Sequence, residues 1–458
     1  MAATLFCEAG PDAMQTASLR RGACPSLSRP MKTGDGLLVR LRPLEAGLAP
    51  SAFRTIARLS AGYGNGLMDV TARGNLQIRG LREETVPLLS AALEDAGLFF
   101  QSGIAIEVPP LAGLDPAEFA DPNGLADDIR KHLRQRGDLA LAPKLSIVVD
   151  GGGALGLGHL NADIRLDAVA GAGGARWRLS LGGDRRSARF ASYLSHNVAV
   201  EAVIALLEKL AAQGPTARGR DLDLGGVRAL LGGESVAAER DDASPVPRPS
   251  PIGLHAIGSE VVLGIGLAYG QATAGGFEAL MAGIEALGAR EIRLSAGRAF
   301  LVRGLEGKAL AETQQLARAE GFWTDAATPG SFVSVCAGSA GCISGHFDTR
   351  LAADALVAEA PELLDGTTAV HLSACPKGCA HPGGADLVVV GSDEGARLVM
   401  DGRAGDPPQA VVPLAALPRS LASLGASARR ARRSGENAGS FLRRARETLV
   451  TAFRQGSE

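Results

Sequence analysis

The sequence predicts an α+β fold with an internal duplication, in which one open-sheet unit occurs twice and each copy is followed by a further α+β segment. Three observations predict it. Strand-length apolar runs and helix-length periodic runs follow the order strand, helix, strand, strand, helix in two places. A constant offset of 224 residues superposes the two places without a gap, pairing Phe53 with Phe277, Ala72 with Ala296, and Arg79-Gly80-Leu81 with Arg303-Gly304-Leu305. Finally, 458 residues are too many for one compact core, and 46% apolar against 21% charged residues leave enough material for several.

In the first copy, residues 36–81, the pattern gives a strand at 37–41, a helix around 53–59, strands at 67–71 and 76–80, then a helix at 86–96. The second copy, residues 260–305, gives a strand at 261–267, a helix around 275–287, strands at 291–295 and 299–304, then a helix at 309–320. Between the copies, residues 103–233 carry candidate strands at 144–150, 164–166 and 177–181 and a helix at 198–213. Ser244-Pro245-Val246-Pro247-Arg248-Pro249 marks a linker by composition. Residues 331–401 hold four cysteines, and beyond Gly402 the chain becomes basic, with seven arginines and one glutamate from Arg429 to Arg446. That run reads as a solvated helix or tail, with contact to an acidic partner as the alternative. The expected organisation is therefore an extension at 1–30, a half-domain at 31–100, a domain at 101–232, a linker at 233–253, a second half-domain at 254–325, a cysteine-bearing domain at 326–402 and a basic tail at 403–458.

A net charge of −2 argues against a surface built to grip nucleic acid. No run of about 18 uncharged apolar residues occurs, so no membrane span is expected. The N-terminus lacks the order of a secretory signal, which predicts a cytoplasmic chain with reduced thiols. No GxGxxG stands between a strand and a helix, so a built-in nicotinamide domain is not expected.

Of six cysteines, Cys7 and Cys24 stand apart, whereas Cys336-x5-Cys342 and Cys375-x3-Cys379 form two close pairs. Zinc sites usually separate paired cysteines by two to four residues. The five-residue loop Ala-Gly-Ser-Ala-Gly between Cys336 and Cys342 suits a larger group, because Gly338 and Gly341 let backbone amides approach inorganic sulfide. The shorter spacing of Cys375 and Cys379 could put both sulfurs on one face of a helical turn. A [4Fe–4S] cluster is the leading reading, with zinc and unligated structural cysteines as alternatives. Elsewhere, alternation would send Arg73, Asn75, Gln77 and Arg79 to one strand face, ordinarily the wet side of a sheet or else a ligand site.

Two cysteine pairs with these spacings, preceded by a duplicated α+β unit, resemble the sirohaem-dependent sulfite and nitrite reductases over roughly residues 30–400. The resemblance implies duplicated ferredoxin-like half-domains, each followed by a reductase-type α+β domain. It implies a [4Fe–4S] cluster on Cys336, Cys342, Cys375 and Cys379, with Cys379 also touching the tetrapyrrole iron. Thr71-Ala-Arg-Gly-Asn-Leu-Gln-Ile-Arg-Gly80 resembles the family segment whose arginine lies at the macrocycle, which implies that role for Arg73 with Asn75 and Gln77 beside it. Leu111-Ala-Gly-Leu-Asp-Pro116 resembles the family's connecting segment, and Ala142-Pro-Lys-Leu-Ser-Ile-Val-Val-Asp-Gly151 the strand with its active-site lysines, Lys144 matching the first. Ser146 stands where the second lysine is expected, and residues 104–108 lack the family's arginine. Reduction of a small oxyanion calls for converging cations, so these departures weigh against that reaction while leaving tetrapyrrole binding in place.

One branch is similar in more detail. Arg21-Gly-Ala-Cys-Pro-Ser-Leu, Met31-Lys-Thr-Gly-Asp-Gly-Leu-Leu-Val-Arg40, Val149-Asp-Gly-Gly-Gly153 and Ala162-Asp-Ile-Arg-Leu166 resemble the precorrin-3B synthases of aerobic cobalamin biosynthesis. This resemblance implies hydroxylation of precorrin-3A by dioxygen at ring carbon C20, with lactone formation by a neighbouring acetate. The carboxylates of such a tetrapyrrole would find partners in Arg73, Arg79, Lys144, Arg165 and Arg303. Dioxygen needs a metal, flavin or radical to react, and the resemblance implies a mononuclear non-haem iron besides the cluster. His346, His371 and His381 are near the cysteines in sequence, but no iron ligand and no catalytic residue follows from the sequence. Electrons are expected from NADH or NADPH through a separate reductase. The competing readings are a sirohaem-dependent sulfite or nitrite reductase and a non-catalytic redox sensor.

Overall fold

The computed structural model describes residues 25–137, 139–171, 173–232 and 249–457. Cys7, Cys24 and most of the expected linker and N-terminal extension lie outside the described residues. The described residues divide into two compact units, one of Ser26–Ser331 and one that begins at Phe332.

Within Ser26–Ser331, the first copy of the repeat is built from β1 (Met31–Thr33), β2 (Gly36–Leu41), α1 (Pro50–Tyr63), β3 (Leu67–Val70), β4 (Leu76–Leu81) and α2 (Thr85–Asp95). It is followed by β5 (Ala105–Glu107), α3 (Pro122–Arg136), β6 (Ser146–Asp150), β7 (Ala162–Val169), β8 (Arg176–Gly183), β9 (Arg189–Leu194), α4 (His196–Gln213) and α5 (Leu224–Leu230). The second copy runs through β10 (Gly253–Ile257), β11 (Glu260–Gly266), β12 (Gln271–Thr273), α6 (Ala274–Ala286), β13 (Glu291–Ser295), β14 (Ala299–Arg303) and α7 (Lys308–Ala319).

The two copies follow the same offset element by element, to within two residues. They also exchange an edge. β12 leaves its own sheet to pair antiparallel with β3, placing Ala272 opposite Met68, and Leu48 makes the reciprocal bridge to Ile292 of β13. The sheets therefore read β1-β2-β4-β3-β12 and β10-β11-β14-β13. Apolar residues of α1 and α6 alternate at helical spacing and bury Phe53, Ile56, Phe277, Leu280 and Ile284 in one core shared by both copies. At its centre the equivalent rings of Phe53 and Phe277 lie 6.1 Å apart. Gly80 and Gly304 end their strands with φ of 67° and 89°, a conformation only glycine takes without strain.

The segment between the copies forms its own sheet, β5-β6-β7-β8-β9, parallel across β5, β6 and β7 and antiparallel thereafter. Helices α3 and α4 supply Leu125, Ile129, Val203 and Leu207 to its core.

The second unit repeats that arrangement. Its elements are β15 (Val333–Val335), α8 (Gly338–Gly341), α9 (Thr349–Glu359), β16 (Val370–Ser373), β17 (Ala385–Ser392), β18 (Gly395–Gly402), β19 (Ala410–Val412), α10 (Leu417–Ala431), α11 (Ala438–Arg444) and α12 (Arg446–Gln455). The sheet order is β15-β16-β17-β18-β19, again two parallel pairings followed by two antiparallel ones. The expected solvated tail is instead a packed helical layer. Leu417, Leu421, Leu424, Ala428, Phe441, Leu449 and Phe453 are buried, and Arg432 and Arg429 of this layer bond to Asp365 and Glu362.

Candidate functional site

The cysteine loops sit at the carboxyl ends of adjacent parallel strands. Val333–Val335 pairs in register with Val370, His371 and Leu372, so the chain leaves β15 at Cys336 beside the point where it leaves β16 at Ala374 and Cys375. The amide of Ala374 donates to Cys336 Sγ at 3.3 Å, and Lys377 Nζ donates to Ser344 Oγ at 2.9 Å, tying the second loop to the first. Carboxyl ends of parallel strands are where open α/β sheets bind ligands. Gly338 and Gly378 have φ of 67° and 59°, and a Cβ on Gly338 would lie 2.9 Å from the amide of Thr349. Both loops thus depend on glycine for their path.

Cys375 is buried, Cys336 and Cys342 are half-buried, and Cys379 is exposed. Burial pushes the Cys375 thiol up, and the charges of Cys336, Cys379 and Cys342 push it further. The donor set, four sulfurs on two adjoining loops with an amide already aimed at one of them, fits an iron–sulfur cluster. Among the described residues, no group of three or more His, Cys, Asp or Glu side chains is gathered that could hold a single metal ion, so the implied mononuclear iron is assigned no ligands.

The second candidate region lies in Ser26–Ser331. Arg73 is not on the strand, as simple alternation predicts, but in the turn between β3 and β4. Gly74 at φ 75° forces that turn, and a Cβ there would lie 2.7 Å from the backbone of Ser295. From the turn, Arg73 donates through Nε and Nη2 to both oxygens of Glu107 at 2.7 and 2.6 Å. It also donates to the carbonyl of Asn161 at 3.0 Å and to Ser146 Oγ at 3.3 Å. Lys144 precedes β6 in an exposed turn, outside the strand expected at 144–150, and its carbonyl accepts from Arg218 at 3.1 Å. Asp163 accepts from the same arginine at 2.8 Å and from the amide of Ser146 at 3.0 Å.

The polar row expected on β4 is buried rather than wet. Asn75, Gln77 and Arg79 are all under a tenth exposed. With its amide oxygen turned to Arg40, Gln77 accepts from Nε and Nη2 at 3.2 and 3.0 Å. Arg79 pairs with Asp35 at 2.8 Å and with Asp69 at 3.1 Å. Burial raises the Asp35 carboxyl, but the hydrogen bond and charge of Arg79 more than offset this and hold it below the usual range. Arg303, the counterpart of Arg79, is held by Glu260 at 2.7 Å and by Glu291. Arg165 has no exposed surface. It pairs with Asp167 at 2.7 Å and donates to the carbonyls of Leu160 and Leu157 at 2.8 and 3.3 Å. Internal acids thus hold the guanidinium groups of Arg79, Arg165 and Arg303, as Glu107 holds that of Arg73.

Several neighbours escaped the sequence. Glu107 and Asn161 belong to no motif, and Arg40 entered only as the last residue of the segment at 31–40. Arg298 was legible through the offset, since it falls opposite Gly74, and it adopts φ 64° where its counterpart is glycine. Tyr269 also has a positive φ of 54° and packs edge-on against Trp323 at 5.2 Å. Non-glycine residues held in this region concentrate at functional sites.

Comparison with known proteins bears on both regions. The sequence profile of the nitrite/sulfite reductase ferredoxin-like half domain matches residues 29–96. A precorrin-3B synthase from Sinorhizobium sp is 46% identical over 449 residues, covering 97% of each chain. The chain belongs to the precorrin-3B synthase family. Its kinship with nitrite reductases is more distant and partial. A ferredoxin–nitrite reductase of Leptolyngbya laminosa is 34% identical over 24% of this chain and 22% of its own. In the solved structures, the NirA protein of Mycobacterium tuberculosis superposes with a TM-score of 0.70 at 19% identity, covering 90% of this chain and 84% of that one. That likeness supports the expected reductase-type α+β fold for this member of the precorrin-3B synthase family. The wider kinship suggests iron–sulfur and sirohaem cofactors as a general class. Among the described residues no helix is long and apolar enough to cross a membrane.

Proposed function

We propose that this chain hydroxylates precorrin-3A at C20 with dioxygen, with a lactone formed by a neighbouring acetate, yielding precorrin-3B in aerobic, cytoplasmic cobalamin biosynthesis. The observation that carries this reading is identity of 46% with a precorrin-3B synthase over 97% of both chains, against partial matches to nitrite reductases. One atom of dioxygen enters the product and the other leaves as water, which requires two electrons and two protons. NADH or NADPH acting through a separate reductase would supply them.

Cys336, Cys342, Cys375 and Cys379 would hold a [4Fe–4S] cluster, which supplies single electrons when bound. The remaining contributions come from the chain itself. Arg73, Lys144, Asn75 and Gln77 would orient the macrocycle, the two cations meeting its carboxylates and the two amides its polar edges. Arg79 and Arg303 support this from behind, since each fixes acids inside its own sheet. Pre-paired buried charges cannot reorganise when substrate arrives, so the site keeps its geometry.

Pigment extraction from protein purified without oxygen separates this reading from a sulfite or nitrite reductase. The expected result is iron and sulfide without stoichiometric sirohaem. Stoichiometric sirohaem together with reduction of sulfite or nitrite would overturn it.

A further inference from the structure

Among the internally engaged arginines of the expected carboxylate-binding set, Arg73 is more exposed than Arg303, at 32% against 21%, and Arg79 and Arg165 are buried. The side chain of Glu107, which pairs with Arg73, is only 10% exposed. Glu107 ends β5 and grips the guanidinium in a two-pronged contact, both oxygens within 2.7 Å. This is the geometry through which arginine binds a ligand carboxylate or an inorganic oxyanion. Ser146 and the carbonyl of Asn161 take further donors of the same group. A small anion arriving from solvent therefore meets a cation whose preferred face carries an internal carboxylate at ideal distance. A carboxylate belonging to a large ligand anchored at other points competes differently, because tethering raises its effective concentration at the guanidinium.

We propose that Glu107 is a specificity-determining residue: it is the built-in counter-ion that denies Arg73 to small inorganic oxyanions and yields it to a carboxylate carried on a larger, multiply anchored polyacid. The last clause rests on the tetrapyrrole reading above, and the first does not. Ser146 reinforces the arrangement by adding a neutral hydroxyl at the guanidinium, where a cation would draw anions in.

The test is calorimetric titration of the full-length protein with inorganic sulfate, a redox-inert probe. The wild type is expected to show no saturable binding in the range where Glu107→Gln, which keeps a hydrogen-bonding side chain and loses the charge, binds about tenfold or more tightly. The gain should vanish in Arg73→Ala/Glu107→Gln. If Glu107→Gln does not fold, Glu107→Asp serves instead, because its shorter arm loosens the two-pronged contact while keeping the charge, and an intermediate gain is expected. A folded variant that binds sulfate no better than wild type overturns the proposal, as does a gain that survives removal of Arg73. Competition by sulfate against precorrin-3A turnover in Glu107→Gln, but not in wild type, would extend the result to the substrate. Absence of turnover in wild type would count against the tetrapyrrole reading alone, since the sulfate titration stands without it.

Discussion

Asp167→Asn is the most informative single change in the first unit. Arg165 is fully buried, and its side chain heads the largest with no exposure. Among the described residues its one hydrogen-bonded acid is Asp167, with contacts of 2.7 and 3.3 Å. The other two acceptors are the neutral carbonyls of Leu157 and Leu160. Asparagine at 167 keeps the shape and one acceptor but removes the bonded acid, leaving only the more distant charges of Asp150 and Asp184 to offset the guanidinium. Breaking a buried ion pair from one side costs about 3–5 kcal/mol. At about 1.4 kcal/mol per tenfold, amides of β7 should exchange with solvent about two to three and a half orders of magnitude faster. Hydrogen-exchange mass spectrometry reads this locally, with α10 in the other unit as an internal control expected to be unchanged. Refilling the site in Arg165→Met/Asp167→Leu should recover most of the loss, since apolar replacement of a buried pair is often neutral or stabilising. That folded double variant should bind precorrin-3A as wild type does. Exchange within about tenfold of wild type in Asp167→Asn would refute the energetic argument. A well-folded double variant that fails to bind substrate would restore Arg165 to the ligand site.

Three further outcomes are expected. Arg73→Ala should raise the KM for precorrin-3A about tenfold or more while leaving the cluster absorption spectrum intact, measured by steady-state kinetics and visible spectroscopy. Cys379→Ser should lower iron and acid-labile sulfide content relative to wild type in anaerobic preparations, since one of four thiolate ligands is lost. Glu118 is pushed up to about 7 by burial first and then by the charges of Asp121, Asp115 and Asp150, against one hydrogen bond from Gly113. Its folded pKa lies above its unfolded value, so the stabilisation is complete below about pH 4.5 and is lost as pH rises through 7. Thermal midpoints of wild type should therefore fall between pH 5 and pH 8 more steeply than those of Glu118→Gln.

The duplication was legible because hydrophobic periodicity and a constant offset survive in both copies. What periodicity could not show is the edge exchange, in which β12 and Leu48 cross to the opposite copy, since a three-residue strand leaves almost no pattern. Alternation placed Arg73 on a strand because Gly74 looks like any residue until its positive φ turns the chain. Alternation also presented the polar row of β4 as a wet face, yet acids far along the chain, such as Asp35 for Arg79, neutralise it in the interior. The likeness between the β5–β9 and β15–β19 sheets was hidden by unequal loops, since one copy carries cysteines where the other carries Gly151-Gly152-Gly153. Those glycines are required there: a Cβ on Gly151 would lie 2.5 Å from the carbonyl of Ala120. The C-terminal layer was masked by its arginines, although Leu417, Leu421, Leu424 and Ala428 already recur at helical spacing. The cysteine loops were legible because two close pairs stand out in a sequence with six cysteines, and the strands that carry the loops lie side by side.

The fate of oxygen is the most direct test of hydroxylation at C20. Purified protein, reconstituted anaerobically with iron and sulfide, would be supplied with precorrin-3A, a reductant and dioxygen labelled with oxygen-18, and the product weighed by mass spectrometry. The expected product is a tetrapyrrole that carries one labelled oxygen atom from dioxygen and has closed a lactone. A product labelled from water, or no tetrapyrrole product from protein with an intact cluster, would contradict the proposed reaction.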